Sequence, residues 1–186
     1  MIPILIAYST TEGQTRKIAD FMAEALQDAG HRVELVDTGS AQAALVQPVY
    51  AAAILGGSVH AGHHASSLAR FIRDNAAWLE TIPTAFFSVS LTAARDDEAG
   101  RRETARMLDE FLARTGLKPL RSYRIAGALR YSRYGSLKRF LMRRIAGRAG
   151  GDTDSSRDFE YTNWKQIRQF VLEFAGKVDS IPRRAA

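Results

Sequence analysis

Five short apolar runs, separated by segments of helical periodicity, constrain the fold of this chain more than any other feature. Residues 2–8, 32–36, 49–55, 84–89 and 123–129 read as strands. Between them, residues 14–29 carry Ile18, Phe21, Met22, Ala25, Leu26 and Ala29 at helical spacing, and Gly30 ends the run. Leu68, Phe71, Ile72, Ala76 and Leu79 mark a second helix, Met107, Leu108, Phe111 and Leu112 a third. Trp164, Ile167, Val171 and Phe174 place a last helix over 163–177. Strands that alternate with helices, without an internal repeat, predict a doubly wound five-stranded parallel sheet covered on both faces. A length of 186 residues suits one such domain, 1–186.

One stretch breaks the alternation. After the fifth strand the chain runs RYSRYGSLKRFLMRRIAGRAGGDTDSSRD before FEYTNW and the final helix. A plain crossover needs only a few residues. Residues 130–157 therefore read as an insertion with a short helix over about 136–148, ended by Gly150 and Gly151. Leu137, Phe140, Leu141 and Ile145 fall on one face of that helix, with Lys138, Arg139 and Arg143 to one side or opposite. Arg144 and Arg148 project into the apolar arc, where their stems must snorkel.

Charge is concentrated in the same region. Residues 112–150 contain eleven Lys and Arg and no Asp or Glu, so the rest of the chain holds fifteen basic residues against twenty acidic ones. An anionic partner is expected: an anionic membrane surface or an acidic ligand, met by Arg130, Arg133, Lys138, Arg139, Arg143 and Arg144. Nucleic acid is not expected, because nothing resembles a stacking platform or a recognition helix. The absence of cysteine excludes disulfides, thiolate nucleophiles and Cys-ligated metals. With no basic leader and no apolar run approaching about 20 residues, the chain is expected to be cytoplasmic.

In a doubly wound sheet a ligand lies beyond the carboxyl ends of the strands. Three loops qualify. AYSTTEGQT, residues 7–15, crowds Ser9, Thr10, Thr11 and Thr15 around Gly13 at a strand-to-helix junction. Helix N–H groups and short hydroxyls suit one phosphate without a lysine. The pattern is neither GxxxxGK[ST] nor GxGxxG, which disfavours nucleoside triphosphates and a dinucleotide. A plain capping cluster is the alternative. GGSVHAGHH, residues 56–64, offers glycines for close approach and His60, His63 and His64, whose spacing is poor for a metal. SVSLTAARDDEAG, residues 88–100, places Ser88 and Ser90 at a strand end.

Together these loops resemble those of flavodoxin-like FMN proteins. The resemblance implies strand order 2-1-3-4-5, phosphate contacts from Ser9, Thr10, Thr11, Gly13, Gln14 and Thr15, and ring-flanking loops at 57–62 and 88–92, with Gly57, Ser58, Val59, His60, Ser88, Val89, Ser90 and Leu91. Electron-carrier flavodoxins usually set Trp or Tyr against the ring, and neither loop contains one. SVSL, the long basic insertion and EYTNW resemble more closely the flavodoxin-like protoporphyrinogen IX dehydrogenase (quinone) family of bacterial haem synthesis. That implies an oxidoreductase acting on protoporphyrinogen IX through FMN, with a membrane quinone as acceptor, peripheral on the inner face of the cell membrane. His60 or His63 is the candidate base by type and location. An NAD(P)H:quinone reductase, a flavodoxin-type electron shuttle and a binding module without flavin are the alternatives; whether the chain forms a homo-oligomer is open.

Overall fold

Strand burial dictates the order of the sheet. In the computed structural model, which describes residues 1–129 and 159–181, β1 (Pro3–Ser9), β3 (Ala52–His60) and β5 (Thr84–Ser90) bury nearly every side chain until their carboxyl ends. Such strands belong in the middle of a sheet covered on both faces. β2 (Arg32–Asp37) and β6 (Arg121–Ala126) are more exposed and alternate over their first residues, as edge strands do. The observed order is β2-β1-β3-β5-β6, all parallel, with the two-residue β4 (His63–His64) folded back antiparallel on β3. Leaving β4 aside, this is the expected 2-1-3-4-5 order.

Alternation along the central strands sends side chains to two cores. Ile4, Ile6, Ile54, Phe87 and Val89 pack under α1 (Gln14–Asp28) and the last helix, α5 (Trp164–Asp179), against Ile18, Met22, Val171 and Phe174. Leu5, Ala7, Leu55 and Phe86 pack on the other face against Leu68, Phe71 and Ile72 of α2 (Ser66–Asp74) and Leu108 and Phe111 of α4 (Glu98–Thr115). Each fully buried side chain of this size contributes about 1.5–3 kcal/mol.

The structure departs from the sequence reading in three places. The helix expected through Leu79 breaks at Asn75, whose Nδ2 donates to the Phe71 carbonyl at 2.9 Å, and resumes as the one-turn α3 (Ala76–Leu79). A side chain that bonds nearby backbone competes with helix propagation. The third strand begins at Ala52 and runs on to His60, so residues 56–64 form a strand end and a hairpin, not an open loop. The fifth strand lies over Arg121–Ala126 and is followed by the separate β7 (Ala128–Leu129).

β7 pairs antiparallel with β8 (Phe159–Glu160), with Leu129 opposite Phe159. The chain thus leaves for the basic segment and returns from it at one two-stranded ribbon, beside the carboxyl end of β6. The insertion expected at 130–157, with Arg130, Arg133, Lys138, Arg139, Arg143 and Arg144, lies outside the described residues. Among the described residues no helix is long and apolar enough to cross a membrane.

Candidate functional site

Parallel register lines up the carboxyl ends of the three central strands. Ser9 is opposite Gly57, and Gly57 is opposite Ser88. Both serines are buried. A Cβ on Gly57 would lie 2.3 Å from Ser9 Oγ, so the absence of a side chain there makes room for the hydroxyl.

Beyond Ser9 the chain turns into α1. Gly13 adopts the left-handed region, φ 88°, and its N–H donates to Thr10 Oγ1 at 2.9 Å, which closes the loop. Thr11 is exposed at the tip. α4 and α5 begin on the capping side chains of Asp97 and Asn163. α1 begins on a glycine, with no side-chain cap and no acidic residue in its first turn. Two residues of this junction carry hydroxyls without a hydrogen-bond partner among the described residues: Ser9 Oγ and Thr15 Oγ1, whose residues are 3% and 1% exposed.

Buried hydroxyls normally have partners, and an orphan costs about 1–3 kcal/mol. Two of them beside a helix start, where the dipole favours negative charge, match the donor set that a phosphate monoester needs. The residues present therefore fit such a group.

Gln14 also makes a long-range bond. Its side chain is buried and Nε2 donates to Thr162 Oγ1 at 3.0 Å; that hydroxyl in turn donates to the Ala126 carbonyl at 2.8 Å. One turn on, Lys17 Nζ meets Glu160 Oε2 at 2.7 Å, and Trp164 Nε1 donates to Glu160 Oε1 at 2.8 Å. The EYTNW motif thus ties the return of the basic segment to α1, the helix that follows the 9–13 loop. Partners separated by 148 positions leave no local signal in the sequence. Thr162→Val removes both bonds of that hydroxyl and is expected to lower stability by about 2 kcal/mol, a fall of about 4–8 °C in the midpoint of thermal unfolding.

The two other loops flank the row of strand ends. On β3, Ser58 and Val59 are half-buried and His60 is exposed. His60 and His63 face each other across a two-residue turn, Ala61 at φ 49° and Gly62 at φ 86°, as a tight hairpin requires. Both candidates for the base, His60 and His63, stand in solvent at the tip. After β5, Ser90 Oγ accepts from Ala93 N at 3.1 Å, Val89 is buried in the α1/α5 core, and Leu91 is half-buried. Beside this turn runs a groove of about 300 Å³, lined by Ala93, Ala94, Arg124, Tyr161, Asn163 and Gln166. Arg124 Nη1 donates to the Arg101 carbonyl.

His64, one residue from the tip, is buried. Its Nε2 lies 3.0 Å from Ser88 Oγ, and its ring packs against Phe111 and Phe86 with centroids 4.4 and 5.6 Å away. Burial drives its pKa down from 6.5 to about 4, and the charges of Arg114 and His63 act in the same direction. The imidazole is neutral at neutral pH. Among the described residues no group of three or more His, Asp or Glu is placed to hold a metal ion.

Comparison with known proteins agrees with this fold. The family described as Flavodoxin domain matches residues 5–156. The protoporphyrinogen IX dehydrogenase (quinone) of Escherichia coli (strain K12) is 34% identical over 175 residues, which cover 94% of this chain and 96% of the relative. The protein of the same name from Leishmania major is 33% identical over 181 residues, 97% of this chain and 78% of the relative. Among solved structures, the flavodoxin of Streptococcus pneumonia TIGR4 superposes with a TM-score of 0.57 at 16% identity, over 94% of this chain and 99% of that one.

Proposed function

The chain belongs to the flavodoxin-domain family, in its protoporphyrinogen IX dehydrogenase (quinone) branch, and from that premise we propose that it oxidises protoporphyrinogen IX on a bound FMN and delivers the electrons to a membrane quinone. The observation that carries the cofactor assignment is the pair of orphaned buried hydroxyls, Ser9 Oγ and Thr15 Oγ1, at the uncapped start of α1. They, with Thr10, Thr11 and the backbone of Gly13 and Gln14, are the phosphate contacts. The strand ends at Gly57, Ser58, Val59 and His60 and at Ser88, Val89, Ser90 and Leu91 flank the ring. A bound flavin supplies a two-electron acceptor for hydride from a reduced carbon.

What the chain itself contributes is placement. Gly57 makes room for the Ser9 hydroxyl, and Thr10 shapes the phosphate turn through Gly13. His60 or His63, both open to solvent, takes the pyrrole N–H protons to water. Each pair of hydrogens removed from the macrocycle reduces one quinone to its quinol. Basic side chains near an anionic leaflet contribute about 1 kcal/mol each, which supports peripheral attachment through Arg130, Arg133, Lys138, Arg139, Arg143 and Arg144.

The test is anaerobic. Full-length protein loaded with FMN is mixed with protoporphyrinogen IX and menadione, and porphyrin fluorescence is followed. A rate that needs both protein and quinone is expected. Fluorescence growing no faster than in the protein-free control, with FMN bound, would sink the assignment. Rapid bleaching of the flavin by NADPH would favour a quinone reductase instead.

A further inference from the structure

The hairpin beside the strand ends has a weak claim to stay where it is. β4 is two residues long, far short of a self-supporting strand, and pairs with β3 only through Val59–His64 and His60–His63. Its turn, with Ala61 in the left-handed region, and its two flanking histidines are exposed. One side chain reaches back into the body of the protein. His64 enters the core between the sheet and α4, meets Phe86 and Phe111 edge-on and tilted, and bonds through Nε2 to Ser88, itself buried and in register with Gly57. An imidazole touching a serine hydroxyl has the contact of a base and a nucleophile. Here both are buried, 5% and 4% exposed, and the chemistry left to them is anchoring.

We propose that His64 is a positioning residue for the flavin site: docked on Ser88 and the two phenylalanine rings, it holds the 57–62 hairpin beside the phosphate loop, and flavin affinity depends on that dock. This rests on the reading of 57–62 as a ring-flanking element. The sequence singled out His64 only as a third histidine of a loop; its role differs from that of His60 and His63 because the two-residue turn directs it inward.

A proton on this imidazole works against the dock. α4 brings the Arg114 cation, the hairpin brings His63, and β5 offers only the neutral Ser88 hydroxyl and the Phe86 ring. The docked side chain resists protonation until about pH 4, whereas a released one takes up a proton near its ordinary 6.5. Acid in that interval therefore favours release, and the docked state is fully favoured above it.

Full-length protein is titrated with FMN, followed by quenching of flavin fluorescence. His64→Leu keeps an apolar plug but strands the Ser88 hydroxyl, and is expected to raise the Kd at pH 7 by about tenfold. His64→Gln, whose amide reaches the Nε2 position without titrating, is expected to restore most of the affinity. As pH falls from 6.5 towards 4, wild type is expected to lose affinity more steeply than His64→Gln. The phosphate of FMN also titrates, near pH 6, but equally in both proteins, so the difference between them reads the imidazole. An unchanged Kd in His64→Leu, or identical pH slopes in wild type and His64→Gln, overturns the proposal. If His64→Leu does not fold, the comparison of slopes decides alone. If wild type binds no FMN, the cofactor reading fails instead, and amide exchange at residues 58–63 tests the dock without flavin. Protection, corrected for the slower intrinsic exchange in acid, that falls on acidification more in wild type than in His64→Gln supports it; an equal fall refutes it.

Discussion

Replacing Ser9 by alanine and Thr15 by valine together is expected to weaken FMN binding by about two orders of magnitude while leaving the apoprotein at least as stable as wild type. The opposite signs follow from one observation: both hydroxyls are buried and neither has a partner among the described residues. Without ligand each is an uncompensated polar group, and removing it relieves about 1 kcal/mol. With a phosphate monoester in the loop each donates to an anion, an interaction of about 1.5 kcal/mol or more. Two such bonds give about 3 kcal/mol, the two orders of magnitude stated. Thermal unfolding without ligand and a fluorescence titration with FMN are the measurements. A lower unfolding midpoint in the apo variant would show that the hydroxyls are structural after all, and an unchanged Kd would move the phosphate elsewhere.

Gly56→Ala is expected to be the most damaging small substitution near the strand ends. A Cβ there would lie 2.3–2.5 Å from three carbons of the Phe87 ring. Phe87 is completely buried, on a strand hydrogen-bonded on both sides, in the core shared by α1 and α5. Neither backbone nor ring has anywhere to go, and overpacking of this kind costs about 3 kcal/mol. For a chain of this size that is about 6–12 °C in the unfolding midpoint. A change below about 1 kcal/mol would mean that β3 and β5 separate more easily than their burial implies. At Gly57 the nearest obstacle is instead the Ser9 hydroxyl, so crowding there acts on the cradle itself.

The five strands and the principal helices were legible because burial on both faces and helical spacing are local properties of a sequence. The apolar runs that became β1 and β5 shift by at most one residue at either end between expectation and structure. Where a side chain competes with its own backbone the pattern misleads, as at Asn75, which interrupts a helix whose apolar spacing continues. The hairpin at 60–63 was hidden for a related reason. Ala61 holds a left-handed conformation usually left to Gly or Asn, so only Gly62 announced the turn.

The loop at residues 9–15 stood out by composition: four hydroxyls around one glycine, and no lysine. Where its side chains bond was not legible. Gln14 sits among the hydroxyls in sequence, yet its amide points to Thr162, and Thr10 turns its oxygen to Gly13. His64 was one of three histidines in a glycine-rich stretch, and nothing local sets it apart from His60 and His63.

By itself, then, the sequence determined the class of the fold, the crowding of hydroxyls at the first strand-to-helix junction and the concentration of positive charge in residues 112–150, because period, composition and charge are carried residue by residue. Only the tertiary structure decided which hydroxyls are left without partners, which histidine is buried, and that Glu160 and Thr162 fasten to Lys17 and Gln14. Those facts depend on parallel register and on contacts between residues more than a hundred positions apart, and such contacts exist only once the sheet has brought its strand ends into one row.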